Sequence, residues 1–131
     1  MVGELELLLL AIAIGLVHLL WAAQAARKQQ GLMWAGGARD EPRPVTGIAA
    51  RLDRAFKNYR ETFSFFAAAV LTAYLSGRTG GLCLWGSVLY VAGRAAYLPL
   101  YASGVRYWRS AAWVVSFLGL VMILVSLIGA L

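Results

Sequence analysis

Charged side chains are absent from Leu7 to Ala26, twenty positions that a helix stretches over about 30 Å, the thickness of a hydrocarbon core. A second uncharged run covers residues 62–77, a third covers 79–105 with Arg94 as its one interruption, and a fourth covers 110–131. The pattern predicts an all-α membrane protein of one domain, with spanning helices at about residues 4–27, 49–76, 81–104 and 109–131. One long loop and two short ones join them. The second run is too short to cross alone, so its helix is expected to start near Ala49 or Ala50 and to carry the polar segment RLDRAFKNYRE, which has neither Gly nor Pro. Thr46 is the expected cap. The preceding RKQQGLMWAGGARDEPRPVTG reads as an ordered connector, with Asp40 and Glu41 solvated or paired with Arg39 and Arg43. Pro99 is expected to kink or end the third helix, helped by Gly104.

Composition agrees. Of 131 residues, 61% are apolar and 14% charged, against about half and about a quarter in a soluble domain. A soluble enzyme and a disordered tail are both excluded. Twelve Lys and Arg against six Asp and Glu leave a net charge of +6, which alone would suit a nucleic-acid binder. The positive residues lie between apolar runs, however, where they set orientation in a bilayer, so nucleic acid is not an expected partner. Loop one holds Arg27, Lys28, Arg39, Arg43 and Arg51, loop three holds Arg106 and Arg109, and loop two has only Arg78. Loops one and three are therefore expected in the cytoplasm and both termini outside. Glu4 and Glu6, with the length of the first run, argue against a signal peptide. Cys83, the one cysteine, excludes an internal disulfide and a cysteine-based zinc cage, and its apolar neighbours predict a buried, inert thiol. His18 is expected to be a buried, hydrogen-bonded histidine.

Two polar stripes do not belong in lipid. Arg51, Arg54, Asn58 and Glu61 are spaced three, four and three, and share a face of the second helix. Tyr90, Arg94, Tyr97 and Tyr101, spaced four, three and four, share a face of the third. An arginine at the depth of Arg94 costs about 2.5–3.5 kcal/mol on an insertion scale, so it must face the bundle interior with a partner. Counting inward at 1.5 Å per residue puts Glu61 about 22 Å below Ser76 and Arg94 about 20 Å below Gly81. Similar depth predicts a Glu61–Arg94 ion pair.

RLDRAFKNYRETF resembles the signature of the MAPEG family, the membrane-associated proteins in eicosanoid and glutathione metabolism, through Arg51, Arg54, Ala55, Asn58 and Glu61. GRAAYLPLYASGVRYWRS is similar to that family's third helix and following turn through Arg94, Tyr97, Pro99, Tyr101, Arg109 and Ser110. The likeness covers nearly the whole chain and is greatest to short bacterial members, largely of unassigned function. It implies a four-helix bundle assembled as a homotrimer in a bacterial inner membrane, with glutathione as co-substrate between subunits near the cytoplasmic side. Carried over by position, Arg51, Arg54, Asn58 and Glu61 would hold the peptide's carboxylates, amide and amine. Tyr90, Arg94, Tyr97 and Tyr101 would line the same cleft. The thiol-activating arginine would be Arg109 or Arg106. Thr62 stands where many eukaryotic relatives have tyrosine, which leaves one ligand contact unassigned.

The chemistry of glutathione suits these residues. Two carboxylates need cations, the ammonium needs an anion, and a further positive group favours the thiolate. Lowering a thiol pKa by two units takes about 2.7 kcal/mol. A guanidinium about 4 Å away at an effective dielectric near 20 supplies roughly 4 kcal/mol before desolvation. The leading reading is a glutathione-dependent transferase or peroxidase that takes a lipophilic small molecule from the bilayer and needs no metal. The alternatives are a non-catalytic binder or scaffold of the same fold and, less favoured, a small proton-coupled exporter. An exporter would want a lone membrane carboxylate, whereas Glu61 is expected to be hemmed in by Arg54 and Arg94.

Overall fold

The computed structural model describes residues 1–129. Four long helices and one short helix make up these residues: α1 (Gly3–Gln30), α2 (Leu32–Gly36), α3 (Gly47–Leu75), α4 (Gly81–Ala102) and α5 (Trp108–Ile128). The long helices fall where the uncharged runs predict them. The expected end of the last helix, at Leu131, lies outside the described residues. By length and apolarity alone, α1 and α5 qualify as membrane spans. The polar first half of α3, and Arg94 with its tyrosines in α4, dilute the apolarity of the other two.

The solvent this surface suits is apolar. Leu9, Leu10, Leu16, Val17 and Leu20 of α1 and Val114, Leu118 and Val125 of α5 all stand exposed. In water such continuous apolar faces are a liability; in hydrocarbon they cost nothing. The small side chains turn inward instead. The most extensive helix contact is α4 on α5. A Cβ on Gly86 would stand 2.6 Å from the Gly119 carbonyl, and one on Gly93 would stand 2.8 Å from the Ala112 carbonyl. The two backbones approach as closely as they do because these positions carry no side chain.

α1 packs on α3 through Tyr59, whose hydroxyl donates to the Ala11 carbonyl and whose ring fills the space left by Gly15. Two apolar clusters result. One gathers Leu8, Phe66, Val70, Cys83, Tyr90 and Ile123, so the thiol of Cys83 is buried as expected. The other gathers Leu52, Ala55, Tyr97, Leu98, Tyr101 and Ala112. His18 and Arg94, both fully buried, belong to neither.

Several local expectations change. α3 begins at Gly47, slightly earlier than predicted. Thr46 is its N-cap residue, but the Thr46 side chain makes no capping bond. Its backbone is used instead: Gln29 Nε2 donates to the Thr46 carbonyl at 2.8 Å and Thr46 N–H donates to Gln29 Oε1 at 2.9 Å. One step on, Gln30 Nε2 donates to the Arg43 carbonyl at 2.7 Å and Arg43 Nη1 donates to the Gln30 carbonyl at 2.7 Å. Trp34 Nε1 donates to the Glu41 carbonyl at 2.6 Å. These bonds tie both ends of the connector together. Asp40 and Glu41 form no salt bridge with Arg39 or Arg43 and stand exposed. α4 runs through Pro99 and stops at Ala102, where Ser103 N–H and Gly104 N–H bond back to the carbonyls of Pro99 and Tyr101. Gly104 takes φ +74°, a left-handed turn that favours glycine, and passes beside the Arg51 guanidinium.

Replacing Gly119 by valine is expected to cost about 1–3 kcal/mol through overpacking of α4 on α5, read as a lowered Tm in detergent. The same change at Gly36, where an added Cβ meets nothing within 4 Å, should leave Tm close to wild type.

Candidate functional site

Arg94 organises the polar seam. Its Nη1 donates to Asn58 Oδ1 at 2.8 Å, which joins α4 to α3. Its guanidinium lies over the Tyr97 ring, 4.2 Å from the centroid, and over the Tyr59 ring at 5.2 Å. Tyr59 in turn stacks on His18 of α1 with centroids 4.7 Å apart. A charged hydrogen bond is worth about 1.5–3 kcal/mol and a desolvated cation–π contact about 2 kcal/mol. Together they match the insertion cost of the charge, so no carboxylate is needed to hold it.

The expected Glu61–Arg94 ion pair is not formed. Asn58 lies one turn nearer the start of α3 and takes the guanidinium, while Glu61 is exposed on α3. Among the described residues the salt bridge is Lys57–Asp53, at 3.1 Å on the outside of α3. His18 is buried as expected, but both ring nitrogens lack a hydrogen-bond partner. It serves as an aromatic plate under Tyr59.

Beside this seam α3, α4 and α5 leave a cleft of about 250 Å³ lined by Asn58, Tyr97, Arg109, Ser110, Trp113 and Val114. Arg109 lies over the Tyr101 ring, 4.5 Å from its centroid. The Tyr101 hydroxyl accepts from Arg54 Nε at 3.1 Å. Arg51 Nε donates to the Ala102 carbonyl at 3.0 Å, a cation at the negative end of α4. Next to the cleft, Arg94 Nε, Arg94 Nη2 and Trp113 Nε1 are buried donors with no partner among the described residues. Buried donors without a partner are rare in folded proteins.

The structure brings some of the sequence-predicted residues together and separates others. Asn58, Tyr97 and Arg109 share the cleft wall, with Arg94 directly behind. Arg51, Arg54 and Tyr101 are linked at its edge. Tyr90 is deeper, stacked on Phe66 at 4.1 Å and within 3.0 Å of Thr62 Oγ1. Thr62, the departure from the eukaryotic pattern, therefore fastens α3 to α4. Arg106 is exposed and is not part of the cleft wall, which separates it from Arg109. Two residues were missed by sequence reasoning. Trp113 stands four residues after Arg109, a helical spacing that could have found it. Tyr59 stands off both stripes, and no spacing signalled it.

A family model for the MAPEG family matches residues 6–129. The chain belongs to that family, whose members are integral to membranes. No curated protein and no solved structure matches it.

Asn58→Leu leaves the Arg94 guanidinium without an acceptor and should lower stability by about 1.5–3 kcal/mol, measured by thermal unfolding in detergent. Glu61→Gln should leave the melting temperature unchanged. Equal losses from both changes would restore the carboxylate as the partner of Arg94.

Proposed function

We propose that this protein binds glutathione in the cleft beside Arg94 and presents its thiolate to a lipophilic electrophile that arrives through the bilayer. The observation that carries this reading is a cleft walled by Asn58, Tyr97, Arg109 and Trp113, with the open donor Trp113 Nε1 in that wall and those of Arg94, Nε and Nη2, directly behind it. Glutathione offers two carboxylates and two amide carbonyls to such donors. Arg51 and Arg54 extend the positive field along α3, and Glu61 supplies the one acidic group of the stripe for the ammonium. Tyr90 supports the cleft from behind through Thr62. In this reading a second copy in a homotrimer completes the binding site, and the exposure of Glu61 on α3 leaves it available to that shared cleft. The cleft, next to the basic loop three, in this reading faces the cytoplasm across a bacterial inner membrane with both termini outside, which the positive charge of loops one and three supports.

In the proposed chemistry Arg109 stabilises the thiolate, and the thiol proton passes to solvent. In a transferase step the sulfur lone pair forms a C–S bond while the leaving group departs with the electron pair of its bond to carbon. In a peroxidase step the thiolate sulfur forms an S–O bond to the hydroxyl oxygen of a hydroperoxide as the O–O bond breaks, and the departing alkoxide takes a proton from solvent. This gives an alcohol and a sulfenic acid, which a second glutathione converts to disulfide and water. Either route needs only charge stabilisation from the protein, and no metal. The expectation that Arg54 and Arg94 hem in Glu61 is not met, since neither forms a salt bridge with it, so the preference for this reading over a proton-coupled exporter rests on family membership.

Calorimetric titration of the detergent-solubilised protein with glutathione should give saturable binding that Arg94→Met abolishes. Absence of heat and of any rise in melting temperature would overturn the proposal. Conjugation of a generic aromatic electrophile should fall about a hundredfold at neutral pH in Arg109→Ala, with the rise in rate moved about two pH units upward, because loss of the cation raises the thiol pKa. Arg106→Ala should retain the wild-type pH profile. Saturable binding without turnover in the wild type would make the chain a binder or scaffold.

A further inference from the structure

The last turn of α4 gathers three cations by three different means. Arg51 Nε donates to the Ala102 carbonyl at 3.0 Å, Arg54 Nε donates to the Tyr101 hydroxyl at 3.1 Å, and the Arg109 guanidinium rests on the Tyr101 ring, 4.5 Å from its centroid. Among the described residues none of the three has a carboxylate partner. Arg54 reaches across from α3 and Arg109 from the first turn of α5, so one side chain of α4 holds cations from both neighbours. Tyr101 itself is fixed. It is buried in the cluster of Leu52, Ala55, Leu98 and Ala112, and it meets Tyr97 edge-on at 5.5 Å.

An arginine side chain is long and rich in rotamers, and no carboxylate fork selects one for Arg109. The electron-rich face of a buried ring makes that selection instead. Its value lies in distance. Coulomb attraction falls inversely with separation, so a guanidinium that drifts from about 4 Å to about 6 Å from a thiolate forfeits about a third of its effect. Arg54 is tethered by different chemistry, a hydrogen bond to the phenol oxygen, and its guanidinium is 5.9 Å from the ring centroid, near the limit of cation–π contact. Ring and hydroxyl of one tyrosine therefore serve two arginines separately.

We infer that Tyr101 is a positioning residue, which holds Arg109 beside the thiolate through its ring and Arg54 beside a ligand carboxylate through its hydroxyl. The inference rests on the glutathione reading above and gives Tyr101 a different part in it: the residue acts through two arginines rather than by touching the peptide. The cleft wall is consistent with this, since Tyr97 and Arg109 lie in it while Tyr101 stands at its edge beneath Arg109. Because both cations answer to one buried ring, the charge for the carboxylate and the charge for the sulfur keep a set separation. That suits a ligand whose carboxylate and thiol are joined by a short chain.

Variants of the detergent-solubilised protein separate the two functions. Tyr101→Phe keeps the ring and should raise the glutathione KM about fivefold, with the pH profile of kcat unmoved. Tyr101→Leu should move the rise in rate upward by about two-thirds of a pH unit, a third of the shift expected for Arg109→Ala. Tyr101→Leu combined with Arg109→Ala should shift no further than Arg109→Ala alone, because the ring acts through that arginine. A second readout needs no glutathione. Phenylglyoxal labelling read by peptide mass spectrometry should modify Arg109 about threefold faster in Tyr101→Leu than in the wild type or Tyr101→Phe, while the exposed Arg106 reacts equally in all three. Equal labelling of Arg109 in Tyr101→Leu and the wild type would overturn the inference. So would an unchanged KM in Tyr101→Phe, or a pH shift in that variant as large as the one from leucine. A wild type that neither binds nor turns over glutathione would sink the glutathione reading alone, and the labelling would then decide whether Tyr101 holds Arg109.

Discussion

A guanidinium inside a helix bundle must be held by groups that are themselves buried, and Arg94 imposes that condition on three helices. Asn58 supplies the acceptor from α3, Tyr97 and Tyr59 supply ring faces from α4 and α3, and His18 supports Tyr59 from α1. No member of this set can be rotated away without exposing the charge to hydrocarbon. The polar layer separates the two apolar clusters and fixes the register of α1, α3 and α4 together. A neutral amide as the chief acceptor also has a chemical consequence: the positive charge is located but not cancelled.

That uncancelled charge connects architecture to chemistry. Had a carboxylate neutralised Arg94, the neighbouring cleft would offer an anionic ligand little beyond Arg109. With Asn58 in that role, Arg94 keeps two open donors behind a wall that also carries Arg109 and Trp113. The field of the seam is positive throughout, from Arg51 on the Ala102 carbonyl to Arg54 and Arg109 around Tyr101. Glu61, set free of Arg94, is left exposed on α3.

The remaining faces obey a different solvent. Between α4 and α5 glycines bring backbones into contact, while leucines and valines point outward, the reverse of a soluble bundle. Loop one is held by side-chain amides and one guanidinium pairing with backbone, as Gln29 and Gln30 engage Thr46 and Arg43.

The helices were legible in the sequence because the cost of burying charge in hydrocarbon is large and local: wherever charges disappear for some twenty residues, a spanning helix follows. The stripe containing Arg94, Tyr97 and Tyr101 was legible for a similar reason, since helical spacing assigns residues to a face without knowledge of neighbours. The partner of Arg94 was not. Depth counting matched Arg94 with Glu61, one turn beyond Asn58, because choosing between residues one turn apart depends on the rotation and offset of two packed helices, which spacing along either one does not contain. The same applies to Tyr59, which joins the seam from off the stripe, and to Thr46, whose backbone is claimed by Gln29 from seventeen residues away. Linear periodicity determined which side chains must leave the lipid; only the packing of α1, α3, α4 and α5 decided which of them meet.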